Sequence, residues 1–244
     1  FDCIFKKRAP DGKRRVFIST HTQWGKSETI SMALLTRLCT FPDKAVIVAP
    51  TQGKARIIMS YLIKHIFENE FTMSKLRLDE GESLEKLRRE RSKTRLTFRL
   101  SDGKFSEVFI LSTESKLRNQ ENIGNAMMGF GAPILVMDEA ALIEDVAEAK
   151  AMRMIGGFVS RGEDFVVKIG NPFKRNHFLK SSQDEGYYKI VVDYSVGLKE
   201  GRLMQSFVDE MRVKPFFRVL YECRFPQEDE IDGHGWSQLL SQDD

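Results

Sequence analysis

Cysteine is scarce in this chain: Cys3, Cys39 and Cys223 are its three, far apart and nowhere at the spacing of a metal-ligand pair. That excludes a disulfide framework or a zinc ribbon as the source of stability, and suits a reducing compartment. Long apolar runs are missing as well, and so is a leader with a basic start and a hydrophobic middle. A soluble, unsecreted protein with no membrane partner is therefore expected. Charge of one sign is also lacking. Lys and Arg number 38 against 35 Asp and Glu, a net charge of +3, too small to prove a polyanionic partner although its sign leans that way. No internal repeat and no low-complexity tract occurs. The chain opens on Phe1 rather than methionine, as expected of an excised fragment or a disordered start. What is present suffices for a sizeable core, since 41% of 244 residues are hydrophobic; one main α/β domain with an appendage is expected.

The segment Thr20-His21-Thr22-Gln23-Trp24-Gly25-Lys26-Ser27 carries the strongest chemical signal. A phosphate-binding loop needs successive backbone N–H groups aimed at the phosphates, a lysine for the β and γ oxygens, and a hydroxyl for Mg²⁺. Gly25, Lys26 and Ser27 supply the last three positions of that pattern, whereas Thr20 stands where its first glycine belongs. The context fits: a strand-like run over 14–19 leads in, and Ile30, Ala33, Leu34 and Leu38 predict one buried helical face ending near Phe41-Pro42. A second signal, Ile134-Leu135-Val136-Met137-Asp138-Glu139, drives two carboxylates to the end of a buried strand. There Asp138 can serve the metal and Glu139 can polarise an attacking water. Together they predict a Mg²⁺-dependent nucleoside triphosphatase.

The rest of the pattern predicts strands alternating with helices. Residues 1–7 and 14–19 flank Pro10-Asp11-Gly12 as a hairpin would; 45–49 is a central strand, with a helix over 52–68. Residues 94–100 and 107–111 form a hairpin about Asp102-Gly103, and further strands are predicted at 165–169 and 187–192. The fold class read from this alternation is α/β, a mostly parallel sheet with helices on both faces and a small helical appendage. The expected division is a core over 1–198, the appendage over 199–226 and a linker or tail over 227–244.

Several residues carry two readings. Trp24 either stacks on a base or neighbouring subunit or fills a loop pocket, and His21 is a loop hydrogen-bonding residue before it is a catalyst. Asp138 and Glu139 also suit a helix N-cap and first turn. Asn171, in Gly170-Asn171-Pro172, either senses the γ-phosphate or the attacking water, or makes a turn. Pro50-Thr51 marks a nucleotide- or DNA-sensing loop or a plain helix cap. The basic run over 84–99 grips phosphates or is a solvated face. For an arginine finger, Arg118, Arg153 and Arg161 sit near the relevant strand ends, each with a surface salt bridge as its plain alternative.

In that order the motifs resemble the large terminase subunit of tailed bacteriophages. The carriers are Gln23-Trp24-Gly25-Lys26-Ser27-Glu28, Val48-Ala49-Pro50-Thr51, Leu135-Val136-Met137-Asp138-Glu139-Ala140-Ala141, and Ile169-Gly170-Asn171-Pro172 with His177-Phe178. The resemblance spans about residues 15–225. For the fold it implies a P-loop NTPase of the additional-strand, RecA-like type, in which the helical appendage over 199–226 is a small lid. It implies ATP hydrolysis that drives double-stranded DNA into a procapsid, by a ring of subunits on a portal protein, with a small terminase subunit as partner, in the host cytoplasm during virion assembly. It implies Glu139 as the water-orienting base, Asn171 as the coupling position, and a nuclease domain after the ATPase that this chain does not reach, so DNA cleavage is not expected of it. The sequence departs from the family at two places. Thr22 stands where many members have an arginine, and Met128-Gly129 where they have Arg-Gly, which leaves Arg161 and Arg118 as finger candidates. The family's adenine-contacting glutamine lies upstream of this chain. Rival readings are a helicase-like translocase or repair ATPase, a nucleotide-dependent assembly module with little hydrolysis, and an unrelated α/β domain in which Lys26 is structural.

Overall fold

The computed structural model describes residues 1–89, 93–114 and 129–228. The first element, α1 (Asp2–Lys6), is a helical turn where a strand was expected. The reason lies in the sheet: β1 (Arg15–Thr20) has β7 (Phe165–Gly170) on one edge and β8 (Tyr188–Val192) on the other, so no edge is left for a hairpin partner. The short run instead buries Ile4, and Lys7 stops the turn in the left-handed conformation.

From β1 the chain enters α2 (Lys26–Thr40), then β2 (Lys44–Ala49) and α3 (Gln52–Phe67), all close to expectation. Three short elements had no periodic signal: α4 (Glu70–Lys75), the two-residue β3 (Leu76–Arg77) and α5 (Leu84–Arg89). The expected hairpin follows as β4 (Arg95–Arg99) and β5 (Phe105–Ser112), paired antiparallel. Next come β6 (Ile134–Asp138), a 3₁₀ turn (Ala140–Leu142), α6 (Asp145–Arg153) and α7 (Gly156–Val159). After β7 the chain runs through α8 (His177–Gln183), β8, α9 (Tyr194–Lys199), α10 (Gln205–Arg212) and α11 (Phe217–Leu220).

Among the described residues eight strands form one sheet, in the order β3-β4-β5-β2-β6-β7-β1-β8. Pairings from β5 across to β8 are parallel, and only the β3-β4-β5 edge is antiparallel. The loop-bearing strand β1 and the acidic strand β6 are not neighbours, because β7 lies between them. This is the inserted strand that the additional-strand class of P-loop folds requires.

Period-two alternation divides the buried strands between two apolar layers. Ala45, Ile47 and Ala49 of β2 pack with Leu34 and Leu38 of α2 and Met59 and Leu62 of α3. Val46 and Val48 point the other way, onto Leu135, Met137, Ala147 of α6 and Phe178 of α8. A third cluster joins Val208, Phe217 and Tyr221 to Tyr194 and Leu198, so α9, α10 and α11 pack as one helical group.

Candidate active site

Parallel strands present their carboxyl ends on one edge of the sheet, and there the chain gathers its chemistry. Residues 20–27 leave β1 and turn into α2, with Gln23 at φ 61° and Gly25 at φ 87°. Two left-handed positions so close together curl the backbone into an anion-accepting concavity, above the first-turn N–H groups of α2. The loop is anchored from behind. His21 N donates to Val192 O at 2.8 Å and Thr22 N to Leu220 O at 2.8 Å, which leaves phosphate binding to the amides further along.

Lys26 points back across the loop. Its Nζ donates to Asn171 Oδ1 at 3.0 Å and reaches the Thr20 and His21 carbonyls at 3.5 and 3.4 Å. Burial lowers its pKa from the ordinary lysine value, an effect opposed by the nearby Glu139 and Asp138 carboxylates. Ser27 Oγ donates to Asp138 Oδ2 at 3.0 Å, joining the two residues expected at the metal. Asp138 is buried, and its Oδ1 has no hydrogen-bond partner. Burial, and then the adjacent Glu139 charge, push its pKa up to about 6. A buried carboxylate oxygen left without a partner beside a serine hydroxyl suits a hard divalent cation. Mg²⁺ takes one or two protein oxygens and completes its shell with water and phosphates.

Glu139 adopts φ 50° at the turn out of β6, which swings its carboxylate over the pocket to within 3.7 Å of Lys54 Nζ. Gly170 makes room for that turn. A Cβ there would stand 3.1 Å from Ala140 N and 3.3 Å from Glu139 Cα. Asn171 is buried at the end of β7, with Nδ2 donating to Thr20 O at 2.8 Å and Leu220 O at 3.4 Å. One amide thus touches the phosphate-loop lysine, the strand beneath the loop and the end of α11.

The remaining loop residues face the helical group. His21 Nδ1 lies 2.7 Å from Thr22 O, which assigns the proton to Nδ1, and burial lowers the imidazole pKa. Its ring meets Trp24 edge-on at 4.9 Å, and the Arg202 guanidinium lies 4.3 Å over the indole. Thr20, His21, Thr22, Gln23, Trp24, Gly25, Lys26, Ser27, Asp138, Glu139 and Asn171 therefore share one edge of the sheet. Arg161 does not join them: it pairs with Glu163 just before β7 begins, so the six-residue strand, about 20 Å long, separates it from Asn171. As a finger within its own chain it is excluded. Arg153 ends α6 at that same opposite edge, next to Met154, whose carbonyl accepts from Ala132 N before β6. Arg118 lies outside the described residues, as do Arg91 in the basic run and the tail from residue 229 onward.

Two residues of the site escaped the sequence reading. Gly170 was noted only as a neighbour of Asn171. Lys54 carried a faint signal: a cation in the first turn of α3, which has no acidic residue there, opposes the helix dipole.

Sheet order, loop and acidic pair define a P-loop nucleoside triphosphatase fold of the additional-strand class. No family model and no curated protein sequence matches the chain. Similar solved structures include several large terminases. The large terminase ATPase domain of Thermus phage P74-26 superposes with TM-score 0.67 at 17% identity, covering 91% of this chain and 93% of that one. The large terminase of a thermophilic bacteriophage in complex with ADP gives TM-score 0.64 at 14% identity, over 91% of this chain and 51% of its own length. The HK97 bacteriophage large terminase gives 0.58 at 15%, over 88% and 47%. The chain thus has the fold of a large terminase ATPase domain and spans about half the length of the latter two terminases.

Proposed function

We propose that this chain is the ATPase domain of a large terminase, hydrolysing ATP to move double-stranded DNA into a procapsid. The observation that carries the reading is the pairing of Ser27 with Asp138 at 3.0 Å beside Lys26 on Asn171 at 3.0 Å, on a sheet where β7 separates the two motif strands. Residues 20–27 cradle the triphosphate, with Lys26 on its β and γ oxygens. Ser27 and Asp138 would hold Mg²⁺, which when bound neutralises phosphate charge. Glu139 orients the attacking water. Asn171 couples the site to the helical group, here the lid: it exchanges its bond to Lys26 when phosphates draw the ammonium away, and its other contact is the carbonyl of Leu220 on α11.

Of the finger candidates within this chain, Arg161 and Arg153 lie at the opposite edge of the sheet, and a neighbouring subunit in a ring on the portal supplies further positive charge. An isolated domain then turns over slowly. The test is ATP turnover by the wild type and by Glu139→Gln, with and without double-stranded DNA, across protein concentration. Turnover that rises with concentration or DNA and vanishes in the variant supports a ring motor. Tight ATP binding without turnover under any condition supports an assembly module instead. That second reading draws on the first glycine being replaced by Thr20 and the loop arginine by Thr22.

A further inference from the structure

A triphosphate places several negative charges in a pocket that already holds the Asp138 and Glu139 carboxylates near Lys26. Hydrolysis adds charge to the γ-phosphoryl oxygens in the transition state. Among the described residues, Lys54 is a second cation whose charge acts on both Lys26 and Asp138. Its ammonium is 3.7 Å from Glu139 Oε1, and its side chain is half-exposed while that of Glu139 is largely covered. The lysine therefore reaches inward from the rim of the pocket toward the residue that faces the reacting water.

Its base is fixed at both ends. Thr51 caps α3 by accepting from Lys54 N at 3.3 Å, and Gln52 N donates to Glu114 Oε2 at 3.0 Å, which ties the first turn to the end of β5. A cation in the first turn of a helix is disfavoured by the helix dipole, and no acidic side chain of that turn compensates it. Helix stability therefore does not explain Lys54, whereas an anion in front of the helix does.

We propose that Lys54 is a catalytic residue of this ATPase, donating from Nζ to a γ-phosphoryl oxygen while its ion pair with Glu139 holds that carboxylate toward the water. The assignment rests on the ATPase reading above. It gives the chain an internal cation at the γ-phosphate besides Lys26, with no arginine from the phosphate loop.

The test compares the β,γ-imido analogue of ATP with ADP, each with Mg²⁺, by calorimetry on the wild type, Lys54→Ala, Lys54→Gln and Lys54→Arg. Thermal melts confirm that each variant is folded, which half-exposure of the side chain leads us to expect. A charge-assisted bond to the γ-phosphoryl predicts that Ala and Gln weaken the triphosphate analogue by ~10-fold or more and leave ADP nearly unchanged. Arginine restores the preference. Equal weakening of both nucleotides marks a purely structural lysine and overturns the assignment, as does no change in either. A wild type that binds neither nucleotide refutes the ATPase reading itself and Lys54 with it.

Discussion

Asp138 is the group whose burial can be read directly in a stability measurement. Its carboxyl is raised from 3.8 to about 6, first by burial and second by Glu139. At ~1.4 kcal/mol per unit, that is about 3 kcal/mol between its neutral and ionised forms in the folded chain. The sign follows from linkage. A carboxyl whose folded pKa lies above its unfolded one favours the fold fully below pH ~4, and loses that contribution as pH rises through ~6. Other carboxylates titrate in the same window, so the quantity to measure is the difference between the wild type and Asp138→Asn. The asparagine oxygen still accepts from Ser27, and any penalty from its unpartnered amide does not vary with pH. Relative to the wild type, the variant should therefore gain about 2–3 kcal/mol between pH 4 and pH 7.5, read from urea unfolding at each pH. At pH 7.5, millimolar Mg²⁺ should raise wild-type stability and leave the variant unchanged. A difference that stays flat across this pH range would refute the placement of a buried, partnerless carboxylate oxygen at the end of β6.

Three further outcomes follow from the same edge of the sheet. Glu139→Gln should lower kcat by ~10²–10⁴ while nucleotide still binds, in a phosphate-release assay; undiminished turnover would remove Glu139 from the water's side of the pocket. Gly170→Ala sets a methyl 3.1 Å from Ala140 N and 3.3 Å from Glu139 Cα. It should destabilise the fold by about 1–3 kcal/mol and reduce turnover by more than its ATP affinity, as kcat and KM measured together will show. Asn171→Leu removes the amide bonds to Thr20 O and Leu220 O and leaves Lys26 without that acceptor. Hydrogen exchange should then quicken at the Thr22 amide, which is bonded to Leu220 O, and global stability should fall by about 2 kcal/mol.

The parts of the fold that were legible in the sequence are those where one physical signal dominates. Continuous apolar runs gave β2, β6 and β7 within a residue or so, because strands covered on both faces exclude polar side chains. The spacing of Ile30, Ala33, Leu34 and Leu38 gave the buried face of α2. Residues 1–7 misled because alternation over so few residues does not separate a strand from a helical turn, and the occupied edges of β1 decided the matter. The segment through α4, β3 and α5 had no clear period, since each element is short and exposes most of its surface.

In the site, the legible residues were those fixed by motif spacing along one strand end, and the illegible ones depended on strand order. Ile169 of β7 is in register with Ile18 of β1 on one side and Asp138 of β6 on the other. Two residues further on, with the same side-chain parity, Asn171 stands level with Thr20 and meets Lys26, which lies 145 residues away in the chain. That contact exists only because β7 is inserted between β1 and β6. Lys54 depends on a similar accident of neighbourhood. Strand β2 pairs with β6 in register up to Val48 and Met137, so α3 starts beside Glu139. Arg161 shows the converse: proximity to a strand in sequence suggested the site, but it precedes β7 whereas the chemistry follows it, and in a parallel sheet only residues beyond the carboxyl ends share a pocket.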